Sequence, residues 1–178
     1  MIIRRFREIV LVCLALNMFG LTTAMAKSGT DSQWHMHTGG LSHHFVSTGA
    51  SNREWNQNHP GVGLEYRPRP QADWGGRWTM GVMRDSRNVP GGYAGAAYVR
   101  QFNRNGDFNA SIGLGAYLFY RSESWDGRMT VVPAILPTVS FGLFKNRVGV
   151  NLLAIPKVKL AGKQSTPLLF AQFTIRYN

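Results

Sequence analysis

Residue types that together carry out acyl transfer stand in two short stretches of this sequence. "LSHHF", residues 41–45, holds the adjacent histidines His43 and His44, and "RDS", residues 84–86, holds Asp85 and Ser86. A histidine beside a serine acts as base toward its hydroxyl. An aspartate orients or charge-stabilises the histidine, and the serine serves as nucleophile or hydrogen-bonding stabiliser. Neither stretch is decisive alone. Asp, Ser and Asn are ordinary turn residues, and "RDSRNVPGG" runs into Pro90, Gly91 and Gly92 before a new run begins at Tyr93. The chemistry depends on whether the fold brings the two stretches to one place.

Other chemistries have weaker signatures. His35-x-His37 has the spacing of a metal pair, but no carboxylate or cysteine nearby in the sequence completes a set. It reads as part of a solvated lead-in, and no metal is expected. There is no His-Glu-x-x-His or Gly-x-Ser-x-Gly motif. Gly113 and Gly115 do not open a helix and read as strand glycines.

The elements that must position these residues have a period of two. In "LLFAQFTIRYN", Leu169, Ala171, Phe173, Ile175 and Tyr177 share one face, and Phe170, Gln172, Thr174 and Arg176 the other. "RVGVNLLAI", "GVGLEYR", "RWTMGVM" and "FNASIGLGAYLFY" alternate likewise. Eight strands are predicted, near 40–48, 61–68, 76–84, 93–102, 108–120, 134–143, 147–155 and 168–177. One face is apolar and the other mixes Gly, Thr, Asn, Gln and charge. That is the pattern of an all-β, eight-stranded antiparallel up-and-down transmembrane β-barrel, apolar toward lipid and polar or small toward the lumen. Trp34, Trp55, Trp74, Trp78, Tyr93, Tyr120, Trp125 and Tyr177 lie near strand ends, as interfacial girdles require. In such a barrel the first and third strands run outward, so residues 41–45 and 84–86 share the extracellular rim.

The termini and the charge agree with an envelope protein. "MIIRRFRE", an apolar stretch, and "AMA" at 24–26 read as a cleavable export signal over 1–26. A short periplasmic lead-in then covers 27–39, and the barrel domain 40–178. The only cysteine, Cys13, leaves with the signal. Removing Arg4, Arg5, Arg7 and Glu8 takes the formal charge from +11 to about +9. A basic exported barrel points to an anionic envelope partner, lipid phosphates or lipopolysaccharide, rather than nucleic acid.

Dispersed motifs carry a family resemblance over most of the chain from about residue 41. "MRDSRNVPGGYAGAAY", "WNQNHPGVGLEY", "VVPAILPTVSFG" with "GVNLLAIPK", and "LFAQFTIRYN" resemble segments of the PagP family of outer-membrane lipid A palmitoyltransferases. The resemblance implies transfer of a palmitoyl-type chain from a phospholipid to lipid A, with the donor chain inside the barrel. It implies a monomer and no cofactor. It places the catalytic histidine on His44, with His43 the alternative, and the Asp-Ser pair on Asp85 and Ser86. Pro60, Pro137 and Pro156 match lateral-access prolines, which weaken strand pairing. Ala97 stands where the family has a glycine at the floor of the acyl pocket, so an extra methyl shortens the slot by roughly one carbon. A shorter or different chain than palmitate is the expectation. Arg53, Arg84 and Arg87 near the rim are candidate contacts to lipid A phosphates.

The sequence departs from that pattern in places. The lead-in is short and carries no long amphipathic helix, Gly39 and Gly40 replace a proline before the first strand, and Asn178 follows the terminal aromatic. The rival readings are a non-enzymatic structural or adhesive barrel, a lipid A deacylase, and a soluble lipocalin-like binder.

Overall fold

The computed structural model describes residues 32–45, 55–123, 127–157, 159–160, 163–164 and 167–177. The expected signal over 1–26, Arg53 and Trp125 lie outside them. The strands are β1 (Gln33–His44), β2 (Asn58–His59), β3 (Gly61–Arg67), β4 (Trp74–Arg84), β5 (Pro90–Phe102), β6 (Phe108–Ser122), β7 (Met129–Leu143), β8 (Val148–Ile155), β9 (Lys159–Leu160), β10 (Lys163–Gln164) and β11 (Leu168–Arg176). Each long strand pairs antiparallel with its neighbour, and β11 returns to β1, so eight long strands close a barrel. The two-residue β2 adds to β1 beyond β3, and β9 and β10 form a separate small hairpin. Closure pairs every long strand on both edges, which a lipid environment demands.

The outer surface is that of a membrane barrel. Val62 is 54% exposed, Leu114 61% and Ile135 75%, a degree of apolar exposure that water does not tolerate over a whole sheet face. Near one end, Trp34 packs on Tyr66 (4.7 Å between ring centroids), Trp74 stacks on Tyr98 (5.4 Å) and Phe108 on Phe141 (6.1 Å). Tyr93 is not part of this belt. It points into the lumen and is buried, which corrects the girdle assignment.

The lead-in also needs correction. Strand structure begins at Gln33, so residues 33–39 belong to β1, and His35 and His37 are each 1% exposed inside the barrel rather than solvated. Trp34 and Met36 face outward between them. A polar lumen takes the place of water as hydrogen-bonding partner, so histidines fit there.

A one-residue bulge then reverses which positions face inward. His37 is paired with Thr174 and Gly40 with Gln172, so three steps on β1 match two on β11. Gly39 takes up the extra residue at φ 99°, a left-handed conformation that favours glycine. A Cβ at Gly39 would also lie 2.7 Å from the His59 carbonyl oxygen. Beyond the bulge Ser42 and His44 turn inward, and Leu41 and His43 outward.

The lumen is divided along its length. One half is apolar, built from Tyr117, Leu136, Leu153, Leu168 and Phe170 with Met83, Phe119, Ala134 and Ile155. The other half is a polar plug. Arg67 Nε donates to Glu65 Oε1 at 2.5 Å and Asn151 Nδ2 to Glu65 Oε2 at 3.0 Å. Arg77 donates to the hydroxyls of Ser140 and Ser111, each at 2.7 Å. Tyr93 lies across the junction, its hydroxyl 2.8 Å from His37 Nδ1 and 2.8 Å from Gln172 Nε2. Its ring needs Gly81, because a Cβ there would sit 2.5 Å from the hydroxyl oxygen.

The wall has a seam. β7 pairs with β6 along its whole length, but with β8 only from Thr138 opposite Leu153 to Leu143 opposite Val148. The β7–β8 ladder thus stops beside Pro137. Pro60 lies between β2 and β3, where β1 passes from pairing with Gly63 to pairing with His59. Pro156 follows the last residue of β8.

Candidate active site at the barrel rim

β1 and β4 both end at the same rim, which brings "SHHF" and "RDS" together. His44 Nε2 lies 3.2 Å from Ser86 Oγ, and Ser86 is buried. His43 faces outward, opposite Leu169, with its ring edge-on to Phe45 at 5.0 Å. Of the two histidines, His44 is the one in contact with the serine.

Asp85 does not reach the histidine. Its Oδ1 accepts from the Arg87 amide at 2.8 Å and the Val89 amide at 3.0 Å. Its Oδ2 accepts from the Ser122 amide at 2.8 Å and from the Ser122 hydroxyl. Burial raises the Asp85 pKa, but these four donors outweigh it and hold the carboxyl below its ordinary value. Asp85 shapes and anchors the turn that presents Ser86. Its composition allowed an ordinary turn residue or a member of the chemical group, and its contacts are those of the former, placed directly beside the serine.

Aromatic stacking holds the histidine instead. The Trp55 ring lies parallel to His44 at 5.0 Å and 8°, and the Arg87 guanidinium sits 5.3 Å from the Trp55 centroid. His44 Nδ1 is buried with no hydrogen-bond partner among the described residues. The segment carrying Trp55 is tied to both sides of the site. The Asn56 amide donates to the Ser86 carbonyl at 2.9 Å, and the Ser42 amide to the Gln57 carbonyl at 2.8 Å. Asn56 Nδ2 donates to the Asp85 carbonyl at 3.1 Å.

The rim arginines differ. Arg84 is exposed and bonded to Asn88. Arg87 donates to the Ser122 carbonyl at 2.6 Å; burial lowers its pKa and the charge of Asp85 partly restores it. Arg121 lies close enough to act electrostatically on Asp85 and Arg87.

Ala97 lies in the lumen, opposite Arg77 and Gly115. It lines a cavity of about 30 Å³ with Tyr93, Tyr117, Phe119, Leu153 and Phe170, where the apolar half meets the plug. That volume holds two or three waters.

Sequence reasoning missed His59. It is 3% exposed, and its ring spans Ser42 Oγ and the Arg84 carbonyl oxygen, each at 2.8 Å. Only a fold that brings residues 42, 59 and 84 together reveals it.

The family described as "Antimicrobial peptide resistance and lipid A acylation protein PagP" matches residues 25–169. No curated protein matches the sequence. Among solved structures, the backbone structure of the Yersinia pestis outer membrane protein Ail in a phospholipid bilayer nanodisc is similar at 13% identity and a TM-score of 0.43. That match covers 83% of this chain and 100% of Ail.

Proposed function

Because this chain belongs to the PagP family of lipid A acylation proteins, we propose that it is an outer-membrane acyltransferase moving an acyl chain from a phospholipid to lipid A. The observation that carries this reading is the His44–Ser86 contact of 3.2 Å at the mouth of an apolar lumen.

In the proposed reaction His44 Nε2 is the general base. It takes the proton of the attacking hydroxyl, either that of Ser86 or that of lipid A with Ser86 stabilising the oxyanion. A C–O bond forms to the donor's acyl carbonyl, and the ester bond to the glycerol oxygen breaks. The lysophospholipid alkoxide leaves with the proton returned by His44. The serine route adds a second such exchange, from the acyl-serine to the lipid A hydroxyl. Asp85 acts by holding the turn. Arg84, Arg87 and Arg121 offer positive charge for lipid phosphates. The seam beside Pro137 and the interruption at Pro60 are the proposed lateral routes for lipid, and Pro156 marks the strand end beside the first of them. Ala97 is the proposed floor of the slot.

The filled lumen favours a second reading, a non-enzymatic barrel. Mass spectrometry of lipid A from cells with and without the gene separates the two. A mass gain of one acyl chain, lost in His44→Ala and Ser86→Ala, supports the acyltransferase. An unchanged lipid A leaves the structural barrel, and a mass loss indicates a deacylase.

A further inference from the structure

Both ring nitrogens of His59 are hydrogen-bonded, yet it touches neither His44 nor Ser86 through a hydrogen bond. Its two ring nitrogens fix its tautomer. The Arg84 carbonyl can only accept, so Nδ1 carries the proton and donates to it at 2.8 Å. The Nε2 lone pair then accepts from the Ser42 hydroxyl at 2.8 Å. Its ring is also held edge-on against Phe170 at 5.4 Å.

The positions it joins matter. Ser42 stands two residues before His44 on β1, and Arg84 two residues before Ser86 after β4. β1 and β4 are not neighbours in the sheet; β3 lies between them. His59 therefore bridges the two strand ends that carry the pair, through the inward Ser42 side chain on β1 and the Arg84 backbone carbonyl at the end of β4. We propose that His59, with Ser42, is a positioning residue that sets the separation of His44 and Ser86 across the rim. The inference rests on the acyltransferase reading for its kinetic consequence, but not for its geometric one.

The bridge is separable from folding. In His59→Phe the ring and its contact with Phe170 remain. The backbone bonds from Ser42 to Gln57, from Asn56 to Ser86 and from Arg84 to Pro60 also remain. Both side-chain bonds are lost. A displacement of about 1 Å between reacting groups costs on the order of 100-fold in rate. The expected result is a kcat lowered about 10- to 100-fold with KM for phospholipid nearly unchanged. Ser42→Ala loses less, because one arm survives. His59→Gln, whose amide has a donor and an acceptor, recovers part of the rate.

The test uses the full protein refolded in phospholipid nanodiscs, assayed for acyl transfer and by histidine ¹⁵N NMR. In the wild type, Ser86→Ala shifts the His44 Nε2 resonance. The proposal requires His59→Phe to shift it in the same direction, even if the protein transfers no acyl chain. A His44 resonance and a kcat both unmoved in folded His59→Phe overturn the proposal. If His59→Phe does not fold, Ser42→Ala decides on the same two readouts. An inactive wild type whose His44 resonance responds overturns the acyltransferase reading and leaves the bridge standing.

Discussion

Asp85 and Ser122 are bound to each other twice, through the Ser122 amide and through its hydroxyl. This joint ties the turn between β4 and β5 to the end of β6, and Ser86 stands on that turn. Removing one partner of a buried charge-assisted bond costs roughly 1.5–3 kcal/mol. Asp85→Asn is expected to lower acyl transfer at least tenfold, while Ser122→Ala, which keeps the amide bond, lowers it less. Activity assays on the two variants check the order. A Ser122→Ala effect larger than that of Asp85→Asn contradicts it.

The same carboxylate gives a pH dependence with a definite sign. Its folded pKa lies below the ordinary value, so the ionised form contributes stability that is fully present above the unfolded carboxylate pKa. That contribution disappears as pH falls through the lower, folded value. The stability gap between wild type and Asp85→Asn, read from urea unfolding in detergent, should be wide at neutral pH and close on acidification below about pH 4. A gap independent of pH argues against an ionised Asp85 as the anchor.

Trp55 supports the ring of His44 by stacking on it. Trp55→Ala should reduce kcat about tenfold by loosening the base, and Trp55→Phe should retain most of the rate. Equal losses in both variants would mean that the indole nitrogen or the Arg87 contact matters more than the stacked face.

The register of β1 beyond Gly39 decides which histidine faces the lumen. Deleting Gly39 removes the bulge but leaves Gly40–His44 opposite Gln172–Leu168, so His44 stays inward. A one-residue insertion after Gly40 instead shifts the rest of β1 by one and points His43 inward. The insertion should abolish acyl transfer, with His44 becoming reactive to a water-insoluble histidine reagent from the lipid side. Gly39→Val should destabilise the barrel through backbone strain at φ 99°. Wild-type activity in the insertion variant would show that the facing of His44 does not matter.

Ala97 bounds the small cavity below the apolar half. Ala97→Gly should lengthen the transferred chain by about one carbon, and Ala97→Met should shorten it or stop the reaction. The acyl distribution of lipid A by mass spectrometry reads both. Identical distributions would remove Ala97 from the floor.

The alternation of Leu169, Phe173 and Ile175 against Phe170, Gln172 and Thr174 was legible because lipid and lumen select opposite residue types at every second position. Seven of the eight long strands follow from it. The first was legible only in part. Its outward Trp34 and Met36 are few, and Gly39–Gly40 looks like a break when it is a bulge. Tyr93 sits where a girdle residue would, and only its bonds to His37 and Gln172 place it inside. For the site, "HH" and "RDS" were visible as residue types, and the resemblance named His44 before the bulge explained it. The role of Asp85 was not legible, since an acceptor for turn amides and a partner for histidine have the same side chain. Nor was His59, whose partners lie 17 and 25 residues away in sequence.

The polar plug has a consequence for the cell that carries this barrel. An ion crossing the lumen would have to part Arg67 from Glu65, 2.5 Å away, and displace the Tyr93 hydroxyl from two partners. The barrel is therefore a cup and not a conduit, and should show no conductance in a planar bilayer. A cell can hold many copies without making its outer permeability barrier leak.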